Sequence, residues 1–194
     1  PLLKVTKPMD TLFEGVDTDV YKPTKEISEL VKETFDVIDN DFNFLSTGHW
    51  LSGKLGEDRK DLGMLIKVFC ETFKNQKNPP GLILKTSGAT FSVIDREEIL
   101  SKIKTIKGDI KGILPSVYLI HGDLTDEEMN QMYNHPKVKA HISFTHGEGF
   151  GRPLLEAAQS AKPVIAPGWS GQIDFLNPNY SVLLSGSLVK VPKN

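Results

Sequence analysis

Residues 143–166 read SFTHGEGFGRPLLEAAQSAKPVIA, a run whose residue types suit the binding of an anion flanked by hydroxyls. Gly147, Gly149 and Gly151 remove side chains that would block the backbone, and Pro153 suits the first turn of a helix. A helix start presents unpaired amides and the positive end of the macrodipole, which together attract a phosphate-sized anion. Two carboxylates bracket that point: Glu148 on the loop before the helix and Glu156 about one turn within it. Carboxylates accept hydrogen bonds from hydroxyls, so the pair suits a ligand with diols on both sides of a phosphate. The spacing is equally met by a solvated loop residue at Glu148 and a favourable charge near a helix start at Glu156. A capping box describes it poorly, because with Pro153 at the first helical position Glu156 falls past the third.

Asp58-Arg59-Lys60 forms a second group, opening a stretch in which Leu62, Leu65, Ile66, Phe69 and Phe73 recur at helical spacing. Cations at a helix start oppose the macrodipole by roughly 0.3 to 1 kcal/mol each. Either an anion sits there, or Glu57, Asp58 and Asp61 neutralise the pair.

The elements that must hold these groups alternate along the chain. Residues 10–23 read as a linker, and Ile27, Leu30, Val31, Phe35 and Ile38 predict an amphipathic helix over 24–38. Short apolar strands are predicted at 42–45, 81–84, 117–120, 140–144, 164–166 and 182–184. Helices fall between them: the one after Lys60, one with Asp95 as N-cap and Glu98 three residues on, one with the same pattern at Thr125 and Glu128, and a short one at Pro153. Alternating strands and helices indicate an α/β, Rossmann-like, doubly wound parallel sheet with helices on both faces. Ligands of such sheets lie outside the carboxyl ends of the strands. Eleven of the 16 glycines fall in the loops leaving those ends, from Gly48 and Gly53 to Gly186, with His49, His121 and His146. Tight turns alone would also call for glycine there.

Length and composition bound the rest. A chain of 194 residues holds one full domain and excludes a two-domain enzyme, and 39% hydrophobic with 25% charged residues is the profile of a packed globular chain. A net charge of -2 with no basic block gives no electrostatic reason to expect nucleic acid. There is no apolar run of membrane-spanning length and no signal-peptide order at the start, and the lone Cys70 suits a reducing compartment, so a soluble, cytoplasmic protein is expected.

Taken together, Glu148-Gly149-Phe150-Gly151, Pro153, Glu156-Ala157 and Lys162-Pro163-Val164-Ile165-Ala166 resemble the signature of the donor-binding, C-terminal half of retaining GT-B glycosyltransferases, in particular glycosyltransferase family four. Gly15-Val16-Asp17 and Tyr21-Lys22-Pro23 resemble the interdomain linker of that family, so the resemblance spans residues 15–184. It implies a linker and the end of a missing N-terminal acceptor domain at 1–23, and a nucleotide-sugar-binding domain at 24–194. Glu148 would bind hydroxyls of the donor sugar, and the amides of Gly149, Phe150 and Gly151 would line the sugar and phosphate. Glu156 would hold the ribose diol. Arg59 and Lys60 would neutralise the diphosphate leaving group, an electrostatic contribution to catalysis. Residues 119–128, with Thr125 among the donor-binding residues, resemble the strand and capped helix near the nucleobase. Gly48 and Lys85 are carried into the donor site too. Many members place an arginine shortly after the first strand, where His49 and Trp50 stand here, and Arg59 or Lys85 would substitute for it.

The implied activity is transfer of a hexose from a nucleoside diphosphate sugar to an unknown acceptor, with retention, no metal and no further cofactor. A non-catalytic nucleotide-sugar binding module and an epimerase or hydrolase of the same architecture are the alternatives. The start at Pro1, and an end at Asn194 soon after the sixth strand, lead to the expectation of a fragment or truncated donor half that does not complete a transfer alone.

Other patterns mislead. Asp17-Thr18-Asp19 has metal-aspartate spacing but reads as a linker turn, Arg152 stands where a dinucleotide fingerprint needs glycine, and His141 at an alternate strand position reads as structural. Trp169 could stack on a ring or pack between loops.

Overall fold

The computed structural model describes residues 7–10, 12–51, 55–88 and 90–189; Gly53 and both chain ends lie outside them. Six strands form one parallel sheet: β1 Asn43–His49, β2 Gly81–Ser87, β3 Val117–Ile120, β4 Val138–Ile142, β5 Val164–Pro167 and β6 Ser181–Leu184. Their spatial order is β3-β2-β1-β4-β5-β6. The helices are α1 Glu29–Asp36, α2 Leu62–Phe73, α3 Val93–Gly108, α4 Asp126–Asn134 and α5 Arg152–Gln159.

Side chains alternate across a strand, so each strand feeds two cores. Leu82 and Leu84 face Leu65, Ile66, Phe69, Ile99 and Ile103 of α2 and α3. Leu45, Ile83, Val138 and Val164 face Phe35, Met132, Tyr133, Leu154 and Ala157 of α1, α4 and α5. Burying each such side chain contributes about 1.5–3 kcal/mol, which is what fixes both layers to the sheet. Cys70 is buried in the first of these cores, and burial pushes its thiol up. Among the described residues no helix is long and apolar enough to cross a membrane.

Several predicted boundaries move. α1 starts at Glu29, five residues later than read, because the amides of Lys22, Thr24 and Ser28 are taken by side chains of α4: Asn130 at 3.2 Å, Asn134 at 3.0 Å and Gln131 at 2.8 Å. The N-cap of α3 is Ser92, whose hydroxyl accepts the Asp95 amide at 3.1 Å; Asp95 itself is a first-turn residue. Its carboxylate instead accepts the Gly88 amide at 2.9 Å and pairs with His121 at 2.9 Å. β1 and β2 run on into polar sequence, to His49 and Ser87, because their polar ends find partners, Thr47 with His141 at 3.0 Å and His49 with Ser87 at 3.0 Å. Gly48 and His49 are therefore strand residues. β4 is shifted two residues toward the N-terminus. The capping box at Thr125 and Glu128 is present as read.

From β1 the chain crosses to β2 on one side, and from β4 to β5 on the other, so the strand order reverses between β1 and β4. Connections that diverge from two neighbouring strands leave a crevice at their carboxyl ends.

Candidate functional site

The crevice is walled by residues 55–61, which follow β1, and 143–151, which follow β4. Backbone and short side chains join the walls. The His146 amide donates to the Arg59 carbonyl at 2.8 Å, and the Thr145 hydroxyl lies 3.3 Å from that carbonyl and 3.1 Å from the Gly147 carbonyl. His146 Nε2 lies 3.1 Å from Asp61 Oδ2.

α5 begins from Gly151, whose φ of 100° is a conformation glycine adopts freely, with Pro153 in the first turn. Glu148, just before it, is pinned by the loop after β5. The Glu148 amide donates to Ser170 Oγ at 3.1 Å, the Ser170 hydroxyl donates back to the Glu148 carbonyl at 2.7 Å, and the Gly171 amide donates to the same carbonyl at 3.1 Å. Gly171 has to be glycine for this contact, since a Cβ there would stand 2.1 Å from the Gly149 carbonyl oxygen.

So fixed, the Glu148 carboxylate takes Lys60 Nζ on Oε1 at 2.6 Å and Arg59 Nη1 on Oε2 at 2.9 Å. The Lys60 and Glu148 side chains are 9% and 8% exposed, Arg59 57%. The Lys60 stem crosses Gly48 (φ 142°), where a Cβ would come within 2.8 Å of Lys60 Cε. Burial pushes the Glu148 carboxyl up, but the Lys60 ammonium, aided by Thr145 and Arg59, outweighs it and holds the group below the usual carboxylate range.

The competing sequence reading, neutralisation of the basic pair by its own neighbours, fails for two of the three carboxylates. Asp61 pairs with His146, and Asp58 accepts the amides of Lys60 and Leu62 at the start of α2. The cations are thus turned away from that helix end, across the crevice to Glu148.

Glu156 is buried in α5, with Arg152 Nη2 at 3.4 Å on Oε1 and the Tyr133 hydroxyl donating to Oε2 at 3.2 Å. Burial pushes this carboxyl above its usual range, against the pull of Arg152 and Tyr133. Behind Tyr133 the chain of contacts continues to Thr47 Oγ1 at 3.4 Å and to His141.

The other predicted residues sit elsewhere. Phe150 packs between Phe13 and Phe175, ring centroids 4.8 and 5.2 Å away, with Gly149 exposed beside it. Lys85 donates to the Gly122 carbonyl and lies 5.6 Å from the Phe91 ring, on the β2–β3 side of the crevice, apart from the Glu148 cluster. The Thr125 hydroxyl is committed to the cap of α4. Trp169, 45% exposed, lies against Gly147. Asp17 Oδ1 accepts the Asp19 amide at 2.9 Å, a turn, and among the described residues no three His, Cys, Asp or Glu side chains are grouped to hold a metal ion.

Thr145, Ser170 and Tyr133 were missed by sequence reasoning. Ser170 alone had a local signal, a hydroxyl beside Gly171 in a loop leaving a strand. Chemically, the crevice offers two cations and a carboxylate set to accept hydroxyls once those cations are drawn off; Glu156, buried in α5 with a partner on each oxygen, is a second carboxylate nearby in the chain.

No family model and no curated protein matches this sequence. The fold does match solved structures. The C-terminal domain of a glycosyl transferase group 1 family protein, LpcC from Francisella tularensis, superposes with a TM-score of 0.61 at 19% identity, over 88% of this chain and 80% of that one. Anabaena Alr3699/HepE in complex with UDP-glucose gives 0.58 at 20% identity, over 88% of this chain and 42% of that one. An E. coli trehalose-6-phosphate protein bound with UDP-2-fluoro glucose gives 0.61 at 11%, over 87% and 39%. The chain has the α/β, Rossmann-like fold of the C-terminal domain of GT-B glycosyl transferase group 1 proteins, and spans about two fifths of the length of the last two.

Proposed function

We propose that this chain is the donor-binding half of a retaining, metal-independent glycosyltransferase that moves a hexose from a nucleoside diphosphate sugar to an acceptor bound by a separate N-terminal domain. One observation carries the proposal: Arg59 and Lys60, from the loop after β1, converge on Glu148, from the loop after β4, where the strand order reverses. In that position the two cations meet the diphosphate and Glu148 meets the hydroxyls of the sugar. The amides of Gly149, Phe150 and Gly151 line the sugar and phosphate, and Glu156 holds the ribose diol. As the bond from sugar to phosphate breaks, negative charge grows on the departing diphosphate, and cations already fixed beside it lower that barrier without reorganising. The sugar nucleotides bound by the HepE and E. coli neighbours support this ligand class. Thr125, at the start of α4, borders the nucleobase.

Calorimetric titration of the chain with UDP, GDP, ADP and their sugars tests the proposal. Binding of one of them is expected, weakened about tenfold or more by Lys60→Ala and by Glu156→Ala, since a hydrogen bond to a charged group contributes about 1.5–3 kcal/mol. EDTA is expected to leave the affinity unchanged, and the chain alone to bind donor without transferring it. A folded chain that binds none of the series overturns the reading.

A further inference from the structure

We propose that Glu148 is a built-in counter-anion, occupying Arg59 and Lys60 in place of the diphosphate, so that the site favours an intact sugar nucleotide over the free nucleoside diphosphate. The proposal rests on the donor-site reading above and adds a selectivity to it.

Both oxygens of Glu148 are engaged, each by a different cation, at 2.6 and 2.9 Å. The arrangement is built, since three hydrogen bonds from the loop after β5 fix the Glu148 backbone and the bare Gly48 leaves room for the Lys60 stem. The Lys60 and Glu148 side chains are almost wholly out of solvent, so water cannot replace a lost partner readily. A diphosphate entering the crevice takes the two cations. If it enters alone, Glu148 is left as a shielded carboxylate with neither cation and only the Thr145 hydroxyl as donor, an arrangement that costs much of the desolvation of a charged group. If it enters carrying a sugar, hydroxyl donors arrive at the atoms the cations have just left, and each charged group ends with a partner. The difference falls between substrate and product: the spent nucleotide binds less well, and its departure restores the ion cluster.

The test compares wild type, Glu148→Gln and Glu148→Ala by calorimetry with inorganic pyrophosphate, with UDP, GDP and ADP, and with UDP-glucose, GDP-mannose and ADP-glucose, after thermal melts establish that each variant is folded. Both variants are expected to bind pyrophosphate and the preferred free nucleotide about tenfold tighter than wild type, while the sugar nucleotide gains nothing, so that the preference for it collapses. Wild type that binds nucleotide, with variants that bind nucleotide and pyrophosphate no tighter, overturns the counter-anion and leaves the donor site standing. Variants that gain pyrophosphate affinity while no nucleotide binds any form support the counter-anion and overturn the donor reading. Failure of every form to bind any probe overturns both.

Discussion

Tyr133 approaches Glu156 from beneath, and with Thr47 and His141 it forms a buried polar path linking α4, α5 and the two central strands. In the proposed function Glu156 holds a diol, which needs the carboxylate's orientation fixed, and the Tyr133 hydroxyl at 3.2 Å is placed to fix it. Tyr133→Phe is expected to reduce the preference for a nucleoside diphosphate over its 2′-deoxy analogue by about threefold to tenfold, the equivalent of one net hydrogen bond. Calorimetry with the two analogues reads this ratio, which a loss of stability alone would not move. Tyr133 could not have been found in the sequence: it lies 23 positions from Glu156 and 86 from Thr47, and a tyrosine in an amphipathic helix looks like any core residue. Glu148, Gly151 and Pro153 were legible for the opposite reason, since the chemistry of a helix start is written in consecutive residues. The direction taken by Arg59 and Lys60 lies between, because the pair was visible and its partner was not.

Among the elements, the strands were placed by short apolar runs, and the ends of β1 and β2 were misread where polar side chains found distant partners. α3 shows this best. Both Ser92 and Asp95 are plausible caps from local spacing, and the choice was made by His121 and the Gly88 amide, which hold the Asp95 carboxylate. Ser92→Ala is therefore expected to destabilise the protein by about 1 kcal/mol, a cost a non-capping serine would not carry. Urea denaturation of the variant against wild type measures it. The late start of α1 has the same origin: Asn130, Gln131 and Asn134 of α4 claim the preceding amides, and nothing within residues 24–28 announces a partner about a hundred positions away.

For the molecule as a whole, His141 ties acid stability to the packing under the site. It is buried, and burial, with the nearby Lys60 charge, pushes it down from 6.5 to about 3. Between these values the unfolded chain holds a proton that the folded chain does not. Its contribution is thus constant above pH 6.5, and stability then falls by about 1.4 kcal/mol for each pH unit below, until about pH 3. His141→Gln is expected to flatten the dependence by about one proton, measured by chemical denaturation at pH 7, 6, 5 and 4.5; equal slopes in the two proteins would sink the assignment.

The reversal of strand order between β1 and β4 also has a bearing on how the protein comes into being. Arg59 and Lys60 stand 89 and 88 positions from Glu148. Pairings so far apart in the chain close late, because the intervening loop loses its freedom before any contact rewards it. Strands β1 to β3 follow one another and can assemble on near neighbours, yet until β4 settles beside β1 there is no crevice at all, only a pair of basic residues on a half-built sheet. In the proposed function, ligand capture is in this sense a certificate of completed folding, and a donor offered to a refolding chain would find nothing to hold it until the two halves of the sheet have joined.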